Sequence, residues 1–143
     1  VVDMKGYKGK KILIVNVASQ CGLTPQYAEL EELSRLYPEN LVVLGFPSNQ
    51  FLKQEPGSNK DIAKFCSSKY SITFPLFEKS IVKGQGKNIV YDWLTDPQKN
   101  GWNSKPPSWN FSKYLIDENG KLIKRFSART TPLSEEIISS INP

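Results

Sequence analysis

Histidine is absent from this chain of 143 residues, and cysteine and methionine are rare. Without histidine the chain cannot form a Ser-His-Asp triad, a Cys-His pair or a histidine general base, and the usual zinc ligand sets are excluded. The two cysteines, Cys21 and Cys66, are too few for a structural zinc site of four thiolates, and the single methionine, Met4, argues against copper. The sequence therefore predicts neither a metal nor a cofactor.

Long apolar runs and dense cysteine patterns are also missing. No stretch approaches the ~20 apolar residues that span a bilayer, and two distant cysteines do not make the disulfide framework of a small secreted protein. We therefore expect a cytoplasmic protein with no membrane span. The chain begins at Val1 rather than at methionine, so the sequence leaves the presence of a targeting segment open.

Acidic residues are fewer than basic ones, 14 against 19, which gives a net charge of +5 and an isoelectric point near 9.2. The lysines are scattered, and the densest cluster, residues 8–11, is interpreted as a solvated turn before a strand rather than a phosphate-binding patch. We expect no nucleic-acid partner, although the positive field would favour an acidic protein partner. A chain of this length is most simply one domain with a real core.

Two apolar runs separated by a helical pattern define the first half of the chain. Residues 10–17 and 41–46 are rich in β-branched or apolar side chains and predict buried strands. Between them, residues 26–37 place apolar side chains on one helical face, and Pro38 ends the helix. This order predicts a parallel, right-handed βαβ unit.

The second half predicts helices around a β-hairpin. The Asn119–Gly120 pair between two apolar runs, 114–116 and 122–123, is a strong hairpin signal. The other predicted elements are a helix capped by Ser58 that includes Cys66, an extended piece at 74–77, a short helix at 88–94, a loop at 95–108 with Trp102 packed on the domain, and an amphipathic helix at 132–141. Together they predict an α/β, thioredoxin-like fold, a central mixed sheet flanked by helices, in a single domain over residues 1–143.

Cys21 is the candidate nucleophile. It follows the first predicted strand and precedes a helix for which we predict Thr24 as the N-cap and Pro25 as the first residue. A thiol beside a helix N-terminus is favoured as thiolate, the reactive form. The alternative is that Cys21 is only a small buried core residue, as free cysteines often are.

Four segments resemble the signature blocks of the glutathione peroxidase family, in the family's order and with near-family spacing. They are residues 16–24, 45–51, 53–58 and 109–111. The resemblance covers essentially the whole chain from just before the first strand, and we expect the short N-terminal hairpin usual in the family to be missing. It implies a thiol peroxidase, and Phe65–Cys66 points to the cysteine-containing, thioredoxin-dependent, non-selenium branch.

The resemblance also implies the site residues. Cys21 matches the peroxidatic position, and the rest of the family's tetrad matches Gln54, Trp109 and Asn110. A nearby Trp102–Asn103 pair mimics the last two, but Phe111 and the strand after it complete the block only at Trp109. Alternatives stay open: Gln54 as a turn residue, Trp109 as plain core, and Asn110 as a turn cap.

Cys66 matches the resolving cysteine of that branch, and its alternative is packing in the core. Ser48 stands where many members carry a third cysteine, which a two-cysteine scheme does not need. A disulfide requires Cα atoms within about 7 Å. We expect the fold to hold Cys21 and Cys66 further apart than this, so the helix at 61–68 must unwind locally. The weak helix propensity of residues 67–69 favours such opening.

The chemistry fits these residues. A thiolate attacks one peroxide oxygen, amide and indole N–H groups stabilise the developing charge, and the resulting sulfenic acid condenses with a second thiol. We expect reduction of hydrogen peroxide and organic hydroperoxides, with thioredoxin or a similar dithiol protein preferred over glutathione as the reductant. No Cys-x-x-Cys motif is present, which argues against a disulfide oxidoreductase.

Two other functions stay open on sequence alone. One is a peroxide-sensing relay that passes its disulfide to a partner, and the other is a non-catalytic thioredoxin-like binding module. The loop at 95–108 lacks the extra length expected of a tetramer, so the sequence predicts a monomer.

Overall fold

The computed structural model describes residue 7, residues 9–51 and residues 53–141. Within these residues the elements follow in the order β1 (Lys11–Val17), α1 (Gln26–Leu36), β2 (Leu41–Pro47), α2 (Asn59–Tyr70), α3 (Ile89–Leu94), α4 (Pro97–Asn100), β3 (Lys113–Ile116), β4 (Leu122–Phe126) and α5 (Glu135–Ile141). The predicted lack of an N-terminal hairpin concerns the start of the chain, where residues 1–6 and 8 lie outside the described residues.

The four strands form one mixed sheet in the order β2-β1-β3-β4. β1 runs parallel to β2, with Leu13 opposite Val43, and antiparallel to β3, with Leu13 opposite Leu115. β4 adds an antiparallel hairpin strand on β3. A parallel βαβ unit joined to an antiparallel hairpin is the thioredoxin-like arrangement, so the predicted fold class is confirmed.

The core lies on both faces of the sheet because side chains alternate along β1. Leu13 and Val15 face one cluster, to which α1, α2 and α5 contribute, whereas Ile12 and Ile14 face the other, to which α3 contributes. Burial on both faces explains why β1 is a continuous apolar run. The end of β1 is therefore held rigidly, and the functional turn follows it.

The predicted cap of α1 is wrong. The helix begins at Gln26 with Pro25 as its N-cap and no side-chain cap. The Thr24 hydroxyl instead accepts a hydrogen bond from the Cys21 N–H at 2.8 Å and donates one to the Ala18 carbonyl at 2.9 Å. Thr24 thus orders the turn before the helix rather than the helix itself.

The last helix and the long loop also differ from the sequence prediction. α5 begins at Glu135 because Ser134 precedes it as a cap, with its carbonyl accepting from the Ile138 N–H and its hydroxyl from the Ile137 N–H. The loop at 95–108 contains the four-residue α4. As expected, Trp102 packs on the domain: its indole N–H donates to the Leu122 carbonyl at 2.6 Å, although the residue is half exposed.

Across the ranges described, no helix has the length and apolar character that would let it cross a bilayer.

Candidate active site

An open cavity of about 590 Å³ lies beyond the carboxyl end of β1. It brings together three of the four residues predicted to perform the peroxide chemistry, Cys21, Gln54 and Trp109. The complete lining is Cys21, Gly22, Leu23, Gln54, Ser108, Trp109, Ser127, Ala128 and Arg129. Residues from four separate parts of the chain therefore meet around one thiol.

Cys21 occupies a tight turn between β1 and α1 and is partly exposed. Its sulfur accepts a hydrogen bond from the Leu23 N–H at 3.3 Å, and its carbonyl accepts one from the Thr24 N–H at 3.0 Å. The turn thus presents the sulfur to the cavity with one donor already in place.

Gln54 and Asn110 form a side-chain pair behind the cavity. Asn110 Nδ2 donates to Gln54 Oε1 at 2.9 Å, and Asn110 is completely buried. The Gln54 carbonyl also accepts from the Gln20 N–H at 2.9 Å, which ties its backbone to the residue before Cys21. Because the oxygen end of the Gln54 amide is occupied by Asn110, its NH₂ end is the one available as a donor in the cavity.

Trp109 forms part of the cavity wall, and its backbone is fixed from two sides. Its carbonyl accepts hydrogen bonds from Asn16 Nδ2 at 2.9 Å and from the Ser112 hydroxyl at 2.8 Å. Its ring packs edge-on against Phe51, with centroids 5.7 Å apart. The indole is therefore held in place next to the thiol cavity.

The comparisons with known proteins point to one family. A family model described as glutathione peroxidase matches residues 1–95. "Glutathione peroxidase-like peroxiredoxin 2" of Saccharomyces cerevisiae is 49% identical over 138 residues, which cover 94% of this chain and 85% of that protein. The chain belongs to the glutathione peroxidase family. It is accordingly a peroxidase.

Two further similarities extend over almost the whole of this glutathione peroxidase. "Thioredoxin/glutathione peroxidase BtuE" of Escherichia coli is 38% identical over 161 residues, covering 99% of this chain and 88% of that protein. The crystal structure of Trgpx in apo form superposes with a TM-score of 0.70 at 38% identity, covering 99% of this chain and 87% of that one. Both the fold and the family resemblance predicted from the sequence are confirmed.

Cys66, the predicted resolving residue, lies apart from the residues that line the cavity. It is on the inner face of α2 and is 1% exposed. Burial raises the pKa of its thiol, the adjacent Tyr27 hydroxyl opposes that rise, and the negative charge of Glu55 adds to it. In the folded helix the Cys66 thiol is therefore held in its protonated, unreactive form.

Glu55 is itself buried and follows Gln54, one of the predicted site residues. Burial raises the pKa of its carboxyl group, and Ser19 and the charge of Lys79 oppose that rise. Lys79 also donates to the Glu55 carbonyl at 3.2 Å. A titratable group thus lies between the Cys21 turn and the Cys66 helix, and the sequence analysis had not singled it out.

The competing Trp102–Asn103 pair lies elsewhere. Asn103 is buried, and its side-chain NH₂ group donates to the Leu94 and Lys105 carbonyls at 2.8 Å and 3.0 Å. Neither member lines the thiol cavity. Ser48, at the third-cysteine position, is completely buried, and its hydroxyl accepts from the Gln50 N–H at 3.4 Å. Of the two Trp–Asn pairs, only Trp109–Asn110 has a member in the lining of the thiol cavity.

Two buried polar residues at the site were missed by sequence reasoning, Asn16 and Lys113. Asn16 holds the Trp109 carbonyl with its side chain, and its own carbonyl accepts from the Phe111 N–H at 2.6 Å. The signal was available, because each is a polar residue within an apolar strand. Their partners are distant in sequence, so the pattern alone did not show what they bind.

Within residue 7 and residues 9–51 and 53–141, no group of three or more acidic or cysteine side chains is arranged to hold a metal ion.

Proposed function

We propose that this glutathione peroxidase reduces hydrogen peroxide and organic hydroperoxides through Cys21, and that a dithiol protein of the thioredoxin type regenerates it through a Cys21–Cys66 disulfide. The observation that supports this most strongly is the cavity that Cys21 lines together with Gln54 and Trp109. The sulfur is exposed to a small substrate, and potential N–H donors surround it.

In the first step the Cys21 thiolate attacks one oxygen of the peroxide. An S–O bond forms, the O–O bond breaks, and the departing alkoxide or hydroxide takes a proton from solvent water and leaves as alcohol or water. The Gln54 amide is suited to stabilise that charge, because Asn110 keeps its oxygen turned away. The Trp109 indole supplies a second N–H at the same cavity.

In the second step the Cys66 thiol attacks the sulfur of the Cys21 sulfenic acid. An S–S bond forms, and the hydroxyl group leaves as water with the proton of the Cys66 thiol. This step needs Cys66 to leave its buried position, because the thiol is 1% exposed.

The construction of α2 supports local unwinding. Of its twelve residues, only Ile62 and Cys66 are buried. The helix ends at Ser71, a non-glycine residue with φ of +53°, in the left-handed region that such residues adopt at a cost. Phe65 and Tyr70 add partly buried contacts with Tyr27, while most of the other side chains of α2 are exposed. A helix held along one edge and ended by a strained residue opens more readily than one packed on all sides.

The proposed disulfide favours a protein dithiol as the reductant. A protein dithiol resolves a disulfide in two exchange steps within one complex, whereas glutathione needs two separate molecules. The name of the Escherichia coli relative, which refers to both thioredoxin and glutathione, supports testing the two together. The cytoplasmic location, the monomeric state and the single domain over residues 1–143 stay predictions.

The decisive experiment follows peroxide consumption by the wild type and by Cys21→Ser, with thioredoxin, thioredoxin reductase and NADPH, or with glutathione. We expect steady turnover with thioredoxin, slower turnover with glutathione and none in Cys21→Ser. Substantial activity in pure Cys21→Ser would exclude Cys21 as the nucleophile. One round of peroxide reduction without thioredoxin turnover would favour a sensing relay, and no reduction at all would favour a binding module.

A further inference from the structure

Lys113, the first residue of β3, has a completely buried side chain. Its amino group donates to the Phe111 carbonyl at 2.7 Å and to the Ala128 carbonyl at 3.3 Å. Among the described residues, no carboxylate lies within ion-pair distance of it. A buried amino group with no carboxylate in direct contact is costly. Burial lowers the pKa of Lys113 to about 7, and the negative charge of Glu29 opposes that shift.

The first carbonyl that Lys113 holds belongs to the turn that carries the N–H donors. Phe111 directly follows Trp109 and Asn110, and its φ of +67° places a bulky residue in the left-handed region. That conformation persists only when the surroundings impose it. The bond to Lys113 on the carbonyl side and the bond to Asn16 on the N–H side together impose it.

The second carbonyl that Lys113 holds belongs to another segment of the cavity wall. Ala128 lies between Ser127 and Arg129, and all three line the space around Cys21. The Ala128 carbonyl also accepts a hydrogen bond from Gln26 Nε2, near the start of α1, at 2.8 Å. One amino group therefore bridges the two segments that flank the paired ends of β3 and β4, where Lys113 lies opposite Phe126.

We propose that Lys113 is a positioning residue of the peroxidatic site, whose buried amino group ties the turn bearing Trp109 and Asn110 to the 127–129 wall of the cavity. This inference rests on the proposed function, because it assigns Lys113 a part in the Cys21 reaction. Lys113 touches neither substrate nor sulfur in this role. It fixes the distance between the donors and the wall against which the peroxide lies.

The test replaces Lys113 by methionine, which keeps the length of the side chain and removes the donor. We expect the rate of Cys21 oxidation by one equivalent of hydrogen peroxide to fall about 10- to 100-fold, as small misplacements of catalytic groups do. The matched control is Asn103→Ala. Like Lys113→Met, this variant removes a buried nitrogen donor that binds two carbonyls, but Asn103 lies outside the cavity.

A second readout is independent of turnover. In a background with Trp93→Phe and Trp102→Phe, Trp109 is the only tryptophan. Lys113→Met should shift its emission and raise its quenching by acrylamide, whereas Asn103→Ala should change neither. If Cys21 proves inert in the wild type, the proposed function fails, and the fluorescence still reports whether Lys113 positions Trp109.

Lys113→Gln decides the question if the methionine variant does not fold, because its amide keeps a donor but not the reach to both carbonyls. A slower Cys21 oxidation with altered Trp109 emission in either variant supports the proposal. A wild-type rate would overturn it. A loss of rate no larger than that of Asn103→Ala, together with unchanged Trp109 emission, would also overturn it.

Discussion

Asn110 Nδ2 lies 2.9 Å from Gln54 Oε1, and this bond determines how the Gln54 amide is presented. The oxygen of Gln54 accepts from Asn110, so the nitrogen end is left for the cavity that also holds Cys21. Asn110 is completely buried and does not line the cavity. In this account Asn110 therefore acts through Gln54, whereas Gln54 faces the substrate.

A double-mutant cycle tests that relationship. Gln54→Ala should slow oxidation of Cys21 by peroxide about 10- to 1,000-fold, as the loss of one preorganised donor does. Asn110→Ala should slow it too, because Gln54 is then free to turn. In the double variant the two losses should not multiply, since both act on one hydrogen bond. Fully multiplicative rates from stopped-flow measurements would show that the two residues act independently.

Local opening of α2 should affect only the second step, the formation of the Cys21–Cys66 disulfide. Ser58 caps the helix with a reciprocal pair of bonds to Asp61, and Ser58→Ala should cost about 1 kcal/mol of helix stability. We expect Cys21–Cys66 disulfide formation to speed up about fivefold while the peroxide step keeps its rate. Quenched-flow alkylation of free thiols measures the second step.

Ser71→Gly should have the opposite effect on α2 to Ser58→Ala. Glycine adopts the positive φ of this position without strain, so the variant should stabilise the end of α2 and slow disulfide formation. The two variants should therefore bracket the wild type. Equal rates in all three proteins would mean that the helix does not need to open.

Removal of the resolving thiol should separate the two steps. Cys66→Ser should still reduce one equivalent of peroxide rapidly, because that step uses only Cys21 and its donors. The sulfenic acid should then persist, react with a dimedone-type reagent or overoxidise. Turnover with thioredoxin should collapse, and a small thiol should restore part of it. Undiminished thioredoxin-dependent turnover would assign Cys66 to core packing alone.

The buried amino group of Lys113 makes stability depend on pH in a defined direction. Its pKa is about 7 in the folded protein, against 10.5 as the ordinary value. Between these values the unfolded chain binds more protons, so this group's contribution to stability rises with pH. Below pH 7 the amino group is charged in both the folded and the unfolded state, so the folded protein bears the full cost of burying that charge. Denaturant unfolding should show the wild type gaining stability relative to Lys113→Met as pH rises from 7 towards 10.5, and a flat difference would contradict this.

The sheet could be predicted from the sequence because its signals are local. The β-branched run at residues 11–17 and the Asn119–Gly120 turn each specify an element by nearby residues alone. The error at Thr24 arose because its hydroxyl binds the Cys21 N–H and the Ala18 carbonyl instead of the helix. The sequence of a cap motif does not show which neighbouring backbone groups compete for the hydroxyl.

The candidate site was only partly predictable for a different reason. Cys21 was found from its position between a strand and a helix, Gln54 and Trp109 were found through the family resemblance, and the structure brings all three to one cavity. Asn16 and Lys113 support that cavity through bonds to the carbonyls of Trp109, Phe111 and Ala128. Backbone carbonyls carry no sequence signal, so the supporting bonds appear only once the chain is folded.

The most direct test of the account is peptide mass mapping of the wild-type protein after one equivalent of hydrogen peroxide. Both cysteines are free thiols in the reduced structure. The account predicts a single intramolecular disulfide between Cys21 and Cys66 in monomeric protein, formed only when both thiols are present. A sulfenic or sulfinic Cys21 beside an unmodified Cys66, or a disulfide that joins two chains, would contradict it.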